Sequence, residues 1–433
     1  MNNIFFFLVF LIISNCSLDK KSGFWSKPDT IKKEEDYVVK KLFEEKKKLD
    51  KELNSNIKIQ LKSKISKNSL HKNLTNNSGR INYNGSLKTS SRYKFSKIDN
   101  FKSFEPNIIF DNKNVIFFDN KGSILKFDQY SKLIWKKNYY VKSEKKLKPL
   151  LSMASNEKYL IVADNLAKYY AIDILSGNLL WVKKNIAPFN SQIKIHKDHF
   201  YIIDFENILR CFSLKDGKEI WNIKTDKSFI KSQKKLSIVL SDNKIYFNNT
   251  IGDISSVDMN TGKLIWQTPT QSSSIYESSF HLKISDLVLE KKFILFSNNK
   301  NEFYSLDSKT GTLIWKQKIN SVVRPSVVDN LIFTITEEGF LIVVEISSGN
   351  IIRITNIFSK IKQKKRTKIK PVGFIIGKKK IYLTTTNGRL IIIDTSTGKP
   401  ESILKIDNEL ISRPFILDKN LFIIKDNAII KLD

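Results

Sequence analysis

Short apolar runs separated by polar turns dominate the chain after about residue 90. In runs such as NVIFFDN and FLIVVEI the apolar residues are adjacent or alternate with polar ones over a few positions. This pattern is typical of β-strands and not of helices. Asp, Asn, Ser and Gly separate the runs at intervals that suit hairpins. The pattern therefore predicts an all-β domain built from many short antiparallel strands.

One phrase recurs along these strands and sets their period. The segments YSKLIW, LSGNLLW, KDGKEIW, NTGKLIW and KTGTLIW end at five tryptophans, which are Trp135, Trp181, Trp221, Trp266 and Trp315. Two weaker copies carry Arg353 and Ser402 in the tryptophan position. The copies lie roughly 40 to 50 residues apart, a period typical of the four-stranded blade of a β-propeller.

Each residue type in the repeated phrase has a structural role in a β-hairpin. Asp or Ser opens a hairpin, and the glycine in the turn takes the left-handed conformation that closes a short loop. These repeat glycines are Gly177, Gly217, Gly262 and Gly311. The tryptophan follows on the strand that leaves the turn. We predict that this strand is the outermost of its blade and that the indole wedges between neighbouring blades.

The strand count predicts how the ring closes. Seven four-stranded units run to about residue 406, and the runs RPFIL, LFIIKD and AIIKLD then supply only three strands. The segment RYKFSKI, residues 92–98, is the natural donor of the fourth. We therefore predict an eight-bladed β-propeller of four-stranded antiparallel blades over residues 92–433, whose last blade is closed by an N-terminal strand that hides the exposed edge.

The chain before the predicted propeller divides into two parts. An unbroken apolar run, residues 4–13, is too short to span a bilayer and has the length of a signal-peptide core. It leads to Cys16 and resembles the lipobox of bacterial lipoproteins, which implies a signal peptide at 1–15, lipidation of Cys16 and, from Ser17, sorting to the outer membrane. An uncleaved apolar N-terminus with an incidental cysteine is the alternative.

Residues 16–91 are rich in lysine and asparagine and lack the propeller pattern. We interpret them as a tether, with a possible short amphipathic helix at 31–53. The alternative is that this helix docks a partner.

The formal net charge of +31 raises the question of nucleic-acid binding. Few of the basic residues are arginine, the side chain preferred for bidentate recognition of phosphates and bases. We interpret the lysines as a solubilising surface and expect no nucleic-acid partner. Two basic connections, residues 142–148 and 360–370, are candidates for contact with anionic lipid or an acidic partner.

Candidate catalytic chemistry is sparse. His196 and His199 stand three residues apart without a surrounding metal-ligand motif, so we predict no metal site. Cys211 has no disulfide partner and lies in a strand-like run, where it packs as a small apolar residue. Phosphate-binding glycine loops and nucleophile elbows do not occur in the sequence. These observations favour a protein that is not an enzyme.

The phrase D-x-x-T-G-x-x-x-W, at residues 258–266 and 307–315, is similar to the repeat of quinoprotein propellers. Two families carry that repeat: the quinone-dependent alcohol dehydrogenases and BamB, a non-enzymatic lipoprotein of the outer-membrane β-barrel assembly machinery. The dehydrogenases usually have an adjacent cysteine pair and a calcium-binding carboxylate and Asn set. This sequence has no adjacent cysteines and resembles the BamB family over residues 92–433.

The resemblance implies a scaffold within the Bam complex that binds the periplasmic domains of the central barrel-assembly subunit and aids insertion of β-barrel proteins. It implies a monomer within a hetero-complex, anchored by lipid (palmitate) to the periplasmic face of the outer membrane, with no cofactor. Docking sites of the family correspond to connections near 226–236 and 268–285, where Phe229, Lys231, Tyr276 and Glu277 are the candidate contacts. The alternatives are a periplasmic quinone-dependent dehydrogenase and a propeller that binds cell-wall glycan.

Overall fold

Eight four-stranded antiparallel sheets are arranged as an eight-bladed β-propeller, as the sequence predicts. The computed structural model describes residues 51–63, 65–67, 74–226, 234–270 and 282–433. Within these ranges the strands, numbered in chain order, are β1 (Thr89–Lys94), β2 (Ile109–Asp111), β3 (Asn114–Phe118), β4 (Ile124–Phe127), β5 (Leu133–Lys137), β6 (Leu151–Ser155), β7 (Tyr159–Asp164), β8 (Lys168–Asp173), β9 (Leu179–Lys184), β10 (Lys194–His196), β11 (His199–Ile203), β12 (Ile208–Ser213), β13 (Glu219–Lys224), β14 (Ile238–Ser241), β15 (Lys244–Asn248), β16 (Ile254–Asp258), β17 (Leu264–Thr268), β18 (Val288–Glu290), β19 (Phe293–Asn298), β20 (Glu302–Asp307), β21 (Leu313–Gln317), β22 (Ser326–Val328), β23 (Leu331–Ile335), β24 (Phe340–Glu345), β25 (Ile351–Asn356), β26 (Pro371–Ile376), β27 (Lys380–Thr385), β28 (Arg389–Asp394), β29 (Pro400–Lys405), β30 (Phe415–Leu417), β31 (Asn420–Lys425) and β32 (Ala428–Leu432).

Blades 1 to 7 are consecutive quartets of strands, from β2–β5 to β26–β29. Short helices occupy two of the connections between blades: α1 (Lys142–Lys146) between blades 1 and 2, and α2 (Gln363–Arg366) between blades 6 and 7. A single 3-10 turn covers Phe101–Ser103. Because the first strands of neighbouring blades contact one another, these strands surround the ring axis and the fourth strands form the rim.

The burial of each strand follows its position in the blade. Second and third strands, such as β19 and β24, are buried along nearly their whole length. Fourth strands, such as β13, alternate between exposed and partly buried residues. The core therefore lies between the faces of adjacent blades, where the two sides of each junction contribute aliphatic and aromatic side chains.

Blade 8 closes the ring in the predicted manner. Its order is β1-β32-β31-β30, so an N-terminal strand pairs antiparallel with the last one, with Arg92 opposite Ile430. The pairing begins slightly earlier than the sequence suggests, at Thr89, and ends at Lys94. After β1, two backbone bonds hold the chain against the turn between β31 and β32: Phe95 donates to the Asn427 carbonyl (3.1 Å) and Ile98 to that of Asp426 (2.8 Å).

The described residues before β1 pack on the propeller, whereas the sequence predicts a tether over 16–91. The described residues between 51 and 88, called the N-terminal segment below, lie on the propeller within one compact unit that spans Leu49–Asp433. Leu53 forms a β-bridge with Ile354, and Arg80 forms one with Ile376. The polar composition misled the prediction because a few isolated apolar residues, including Ile81 and Tyr83, are buried between blades.

Other predictions for the N-terminal region lie outside the described residues. These are the signal peptide at 1–15, Cys16 and residues 31–50 of the possible helix. Residues 51–53, at the end of that range, are not helical in the structure. In the part of the chain that the structure covers, we find no helix with the length and apolar character needed to cross a membrane.

Candidate functional site

The five repeat tryptophans lie on the fourth strands of blades 1 to 5, and each indole covers the turn glycine of the next blade. The pairs are Trp135 with Gly177, Trp181 with Gly217, Trp221 with Gly262, Trp266 with Gly311, and Trp315 with Gly349. The glycines adopt φ between 66° and 74°. A Cβ atom at Gly262 would lie 2.5 Å from Cε3 of Trp221, so both the backbone conformation and the indole require glycine there.

Each indole also donates a hydrogen bond that the sequence did not indicate. The Nε1–H groups bond to a backbone carbonyl in the turn they cover, at Leu175, Leu214, Met259, Ser308 and Ile346, over distances of 2.9 to 3.3 Å. Only Trp315 among the five is fully buried, at 8% exposed. The indole therefore stabilises a junction through apolar contact and a directed bond together.

Arg353 takes the tryptophan position at the junction of blades 6 and 7. Its side chain is fully buried, and it donates to the carbonyls of Thr395 (3.2 Å) and Ser396 in the turn of blade 7. It also donates to the Ile57 carbonyl of the N-terminal segment, over 3.0 Å. Burial lowers the pKa of Arg353 to about 10, and the Asp394 carboxylate partly opposes that shift.

The junction of blades 7 and 8 has no turn glycine to cover, because blade 8 passes from β32 to β1 without a hairpin. Ser402 holds the tryptophan position there, and the N-terminal segment fills the space. Tyr83 packs edge-on against Tyr382, with ring centroids 4.9 Å apart, and donates to the Asp433 carbonyl over 3.1 Å.

Tyr93 completes the junction of blades 8 and 1. Its ring is buried against Phe127 and Phe422, with centroids 5.7 and 6.3 Å away. Its hydroxyl donates to the Gln129 carbonyl in the turn of blade 1, over 3.2 Å. Tyr93 thus makes the same kind of bond from the closing strand that the tryptophans make elsewhere.

The N-terminal segment also crosses the inner strands around the ring axis. Backbone N–H groups of Leu240 and Leu289 donate to the carbonyls of Leu74 (2.9 Å) and Thr75 (3.0 Å). The Asn77 side chain bonds the N–H and the carbonyl of Val327, over 3.0 and 3.2 Å. These partners lie on blades 4, 5 and 6, so a short peptide satisfies inner-strand groups of three blades.

The connections that enter the inner strands meet beside Asn76 and Ser78 of the N-terminal segment, around a cavity that is called the mouth below. Asp286 and Arg324 meet there, with Nε of Arg324 2.6 Å from a carboxylate oxygen. Burial acts to raise the pKa of Asp286, but the positive charges of Arg324, Lys234 and Arg413 outweigh it and hold that pKa below its usual range. Among the described residues that line it, basic side chains outnumber carboxylates, and the region is called the cationic mouth below.

The four predicted partner contacts, Phe229, Lys231, Tyr276 and Glu277, lie outside the described residues. The two connections that carry them lead from β13 and β17 on the rim to β14 and β18 at the axis. Their C-terminal flanks reach the cationic mouth, because Lys234 and Asp286 both line its cavity.

The two basic connections contain α1 and α2. Lys142 and Lys146 of the first helix are exposed, as are Lys364 and Lys365 of the second. Each helix lies in a connection that leads from the fourth strand of one blade to the first strand of the next blade.

Residues with metal-binding or nucleophilic chemistry do not converge in the described ranges. No group of three or more His, Cys, Asp and Glu side chains in these ranges could hold a metal ion. His196 and His199 face each other as the last pair of the β10–β11 hairpin. Burial raises the pKa of the Cys211 thiol to about 12, so its thiolate is scarce at neutral pH.

Comparison with known families settles where this architecture belongs. The family profile described as "Outer membrane protein assembly factor BamB" matches residues 120–355, which is more than half of the chain. The chain belongs to the BamB family. The match spans the blades that carry the tryptophan repeat from Trp135 to Trp315.

Solved structures share the propeller of this BamB-family chain at low sequence identity. BamB from Moraxella catarrhalis is 12% identical, with a TM-score of 0.66 over 80% of this chain and 99% of that one. A europium-containing methanol dehydrogenase is 11% identical, with a TM-score of 0.62 over 82% and 89%. The quinohemoprotein alcohol dehydrogenase from Comamonas testosteroni is 10% identical, with a TM-score of 0.60 over 82% and 78%. Such identities establish the shared fold alone, and no curated protein sequence matches this chain significantly.

Proposed function

We propose that this BamB-family chain is a non-catalytic scaffold lipoprotein of the outer-membrane protein assembly machinery. In this role it binds the periplasmic domains of the central barrel-assembly subunit and aids insertion of β-barrel proteins. The observation that carries the proposal is the family match over residues 120–355. Lipidation of Cys16 and attachment to the periplasmic face of the outer membrane are parts of the same proposal.

The rigidity of the ring supports a scaffolding role. All the junctions described above are held by directed bonds from an indole, a guanidinium or a phenol, or by the N-terminal segment. Strand ends on such a ring keep fixed positions relative to one another, which suits a surface that recognises a folded partner. We assign docking to the connections that contain Phe229, Lys231, Tyr276 and Glu277.

Affinity purification of the full-length protein from the membrane fraction tests this assignment. We expect the barrel-assembly subunits to co-elute with the wild type and to be lost with Tyr276→Ala combined with Lys231→Ala. Tyr130→Ala is the matched control, because Tyr130 is 75% exposed in the turn between β4 and β5 and far from both connections in sequence. Consistent absence of barrel-assembly subunits from the wild-type eluate would contradict the proposal.

Membrane attachment has a separate test. We expect Cys16→Ser to abolish incorporation of labelled palmitate and to move the protein from the membrane fraction to the soluble fraction. Cys211→Ser is the control, because Cys211 is buried in β12 and should not affect either measurement. Retention of label by Cys16→Ser would show that another site is acylated.

A quinone-dependent dehydrogenase is the second candidate, because such enzymes share this fold. Binding of the quinone would require a metal-ligand set that the described residues do not assemble and space near the axis that residues 74–77 partly occupy. Incubation with pyrroloquinoline quinone and calcium, followed by gel filtration, decides between the two. A chromophore that co-elutes with the protein would favour the enzyme.

A further inference from the structure

The connections that carry α1 and α2 lie on one face of the ring. Each of blades 1 to 7 is a meander of four antiparallel strands, so its first strand begins at the end where its fourth strand finishes. A parallel bridge joins Ser191 and Leu236, just before the first strands of blades 3 and 4, so these neighbouring blades have the same orientation. The part of this face from α2 through blades 7, 8 and 1 to α1 is called the basic sector below.

The α2 connection is a dense cluster of exposed cations. Four of its lysines are exposed and form no ion pair with any described residue: Lys362, Lys364, Lys365 and Lys368. The Arg366 guanidinium donates to the carbonyls of Ile361 (2.8 Å) and Ser359 (3.0 Å). Its charge is therefore not paired with a carboxylate either.

The α1 connection combines exposed cations with exposed aliphatic side chains. Lys142 and Lys146 are exposed, and Glu144, the one carboxylate of the helix, is held by a lysine of β8 that lies 2.5 Å away. Val141 and Leu147, at the two ends of the helix, are 62% and 61% exposed. Lysines beside exposed aliphatic residues are typical of surfaces that contact the headgroup region of a membrane.

Between the two helices, many charges of this face neutralise one another. Four ion pairs lie there among the described residues: Lys97 with Asp426, Lys102 with Glu409, Lys148 with Asp99, and Lys425 with Asp407. The exposed lysines of the α1 and α2 connections named above have no such partners in the described part of the chain. They therefore give the basic sector an excess of positive charge.

The N-terminal segment reaches the ring on the same face. The Glu52 carboxylate accepts a bond of 2.8 Å from the N–H of Asn356, the last residue of β25, from which the α2 connection leaves. Leu53 pairs with Ile354, further from that end of the strand. The chain that leads from Cys16 therefore joins the ring beside α2, and only the relevance of this step rests on the proposed lipidation.

We propose that the basic sector is a contact surface for an anionic lipid bilayer. A bilayer fits two basic connections that are separated by three blades, because it offers one extended surface of negative charge. Salt weakens such a contact, so it orients a ring that is already attached and does not by itself hold the protein on the membrane. Blade 4, whose flanking connections carry the proposed partner contacts, stands opposite blade 8, so lipid and partner use different sides of the ring.

Sedimentation of the full-length Cys16→Ser protein with vesicles tests this surface without the proposed acyl chain. The measurement is the ratio of binding to vesicles of phosphatidylcholine with phosphatidylglycerol over binding to vesicles of phosphatidylcholine alone. At low ionic strength we expect a ratio of at least about ten, because several basic side chains each add to the attraction. In about 1 M salt, where the Debye length is about 3 Å, the ratio should fall to about one. A ratio near one at low ionic strength would overturn the proposal.

Charge reversal locates the contact. Lys364→Glu combined with Lys365→Glu should lower the ratio at least about fivefold. The matched control is Lys263→Glu combined with Lys309→Glu, because these exposed lysines lie in turns between the third and fourth strands of blades 4 and 5, on the other face. The control changes the net charge equally and should lower the ratio less than about twofold. Equal losses in the two variants would assign the preference to net charge and overturn the surface.

Leu147→Ser distinguishes a bilayer from an acidic protein as the partner. The substitution should weaken binding to the anionic vesicles several-fold, because an exposed aliphatic side chain no longer enters the lipid, and should leave binding to polyglutamate unchanged. Near-ultraviolet circular dichroism checks that each variant is folded. Binding to polyglutamate without any preference for anionic over neutral vesicles would indicate an acidic protein and overturn the lipid assignment.

Discussion

The two sides of the ring are held together by different means. From blade 1 to blade 6 every junction uses the same pair, an indole and the turn glycine that it covers. At the two following junctions the repeat has Arg353 and Ser402 instead, and the N-terminal segment contributes the missing contacts through Ile57 and Tyr83. A repeat can therefore lose its key residue where a distant part of the chain replaces the lost contact.

The largest expected effect comes from Tyr83→Ala at the junction without a repeat. Tyr83 is 1% exposed, and removal of a large buried aromatic side chain costs about 3 to 5 kcal/mol. The exposed Tyr130 provides the control, since Tyr130→Ala should change the free energy of unfolding by less than about 0.5 kcal/mol. Urea denaturation measures both. Equal stability of the two variants would mean that the N-terminal segment contributes nothing to the ring.

Gly262→Ala breaks a junction on the tryptophan side. The variant has unfavourable backbone energy at φ 69° and a steric conflict with Trp221, which together should cost about 2 to 4 kcal/mol. Gly79→Ala is a matched control, because Gly79 has φ 62° but its added Cβ would have no atom nearer than 3.9 Å. We expect that control to lose only about 1 to 2 kcal/mol in the same urea experiment. If the two losses are the same, the indole contact does not restrict the turn.

Arg353→Trp makes the junction of blades 6 and 7 resemble the earlier ones. An indole there can cover Gly398 but cannot also reach Ile57, so we expect a change in global stability of about 1 kcal/mol and looser attachment of residues 53–59. Hydrogen exchange should become several-fold faster at the amides of Leu53 and Ile59, which bond Ile354 and Ser396. The Ile81 amide, bonded to Ile376, should keep its rate. Uniform acceleration at all three amides would contradict a local role for Arg353.

The smallest expected effect is the pH dependence of the stability that Tyr93 contributes at the junction of blades 8 and 1. Burial and the charge of Asp128 raise the pKa of Tyr93 to about 12, whereas an unfolded tyrosine has a pKa of about 10. Because the folded value is the higher one, the stabilisation is complete below pH 10 and is lost as the pH rises towards 12. Tyr93→Phe should cost about 1 kcal/mol at pH 8, and the difference from wild type should shrink above pH 10.

Trp221→Phe is the comparison for this pH series, because an indole does not titrate in the range. Its deficit relative to wild type should stay constant from pH 8 to pH 12 in urea denaturation. If the loss of stability caused by Tyr93→Phe is also independent of pH, folding does not raise the pKa of the Tyr93 hydroxyl.

The blades and their closure follow from local patterns, and the remaining features do not. Apolar runs, turn glycines and the tryptophan phrase are each encoded within about ten residues, so the sequence predicts eight blades and the strand that closes them. The N-terminal segment has no period, and its buried residues, such as Ile59 and Ile81, stand alone among polar neighbours. The one local signal was the alternation Ile81, Asn82, Tyr83, which resembles a short strand.

The cationic mouth had no local signal at all. Lys234, Asp286, Arg324 and Arg413 are separated by whole strands or whole blades, and each taken alone is an ordinary charged residue before a strand. Only closure of the ring brings these four side chains together. The cluster therefore depends on the topology of the fold and not on the spacing of its residues along the sequence.

The pairing of β1 with β32 in blade 8 can form only late in biosynthesis. The Tyr83 hydroxyl bonds Asp433 and β1 pairs with β32, so Tyr83 and β1 find these partners only after residues 428–433 have been translated. Long-range pairing of this kind is slow, because the intervening chain must first be confined. Throughout synthesis the nascent protein therefore presents an unpaired apolar edge, and it needs protection from association until β1 pairs with β32.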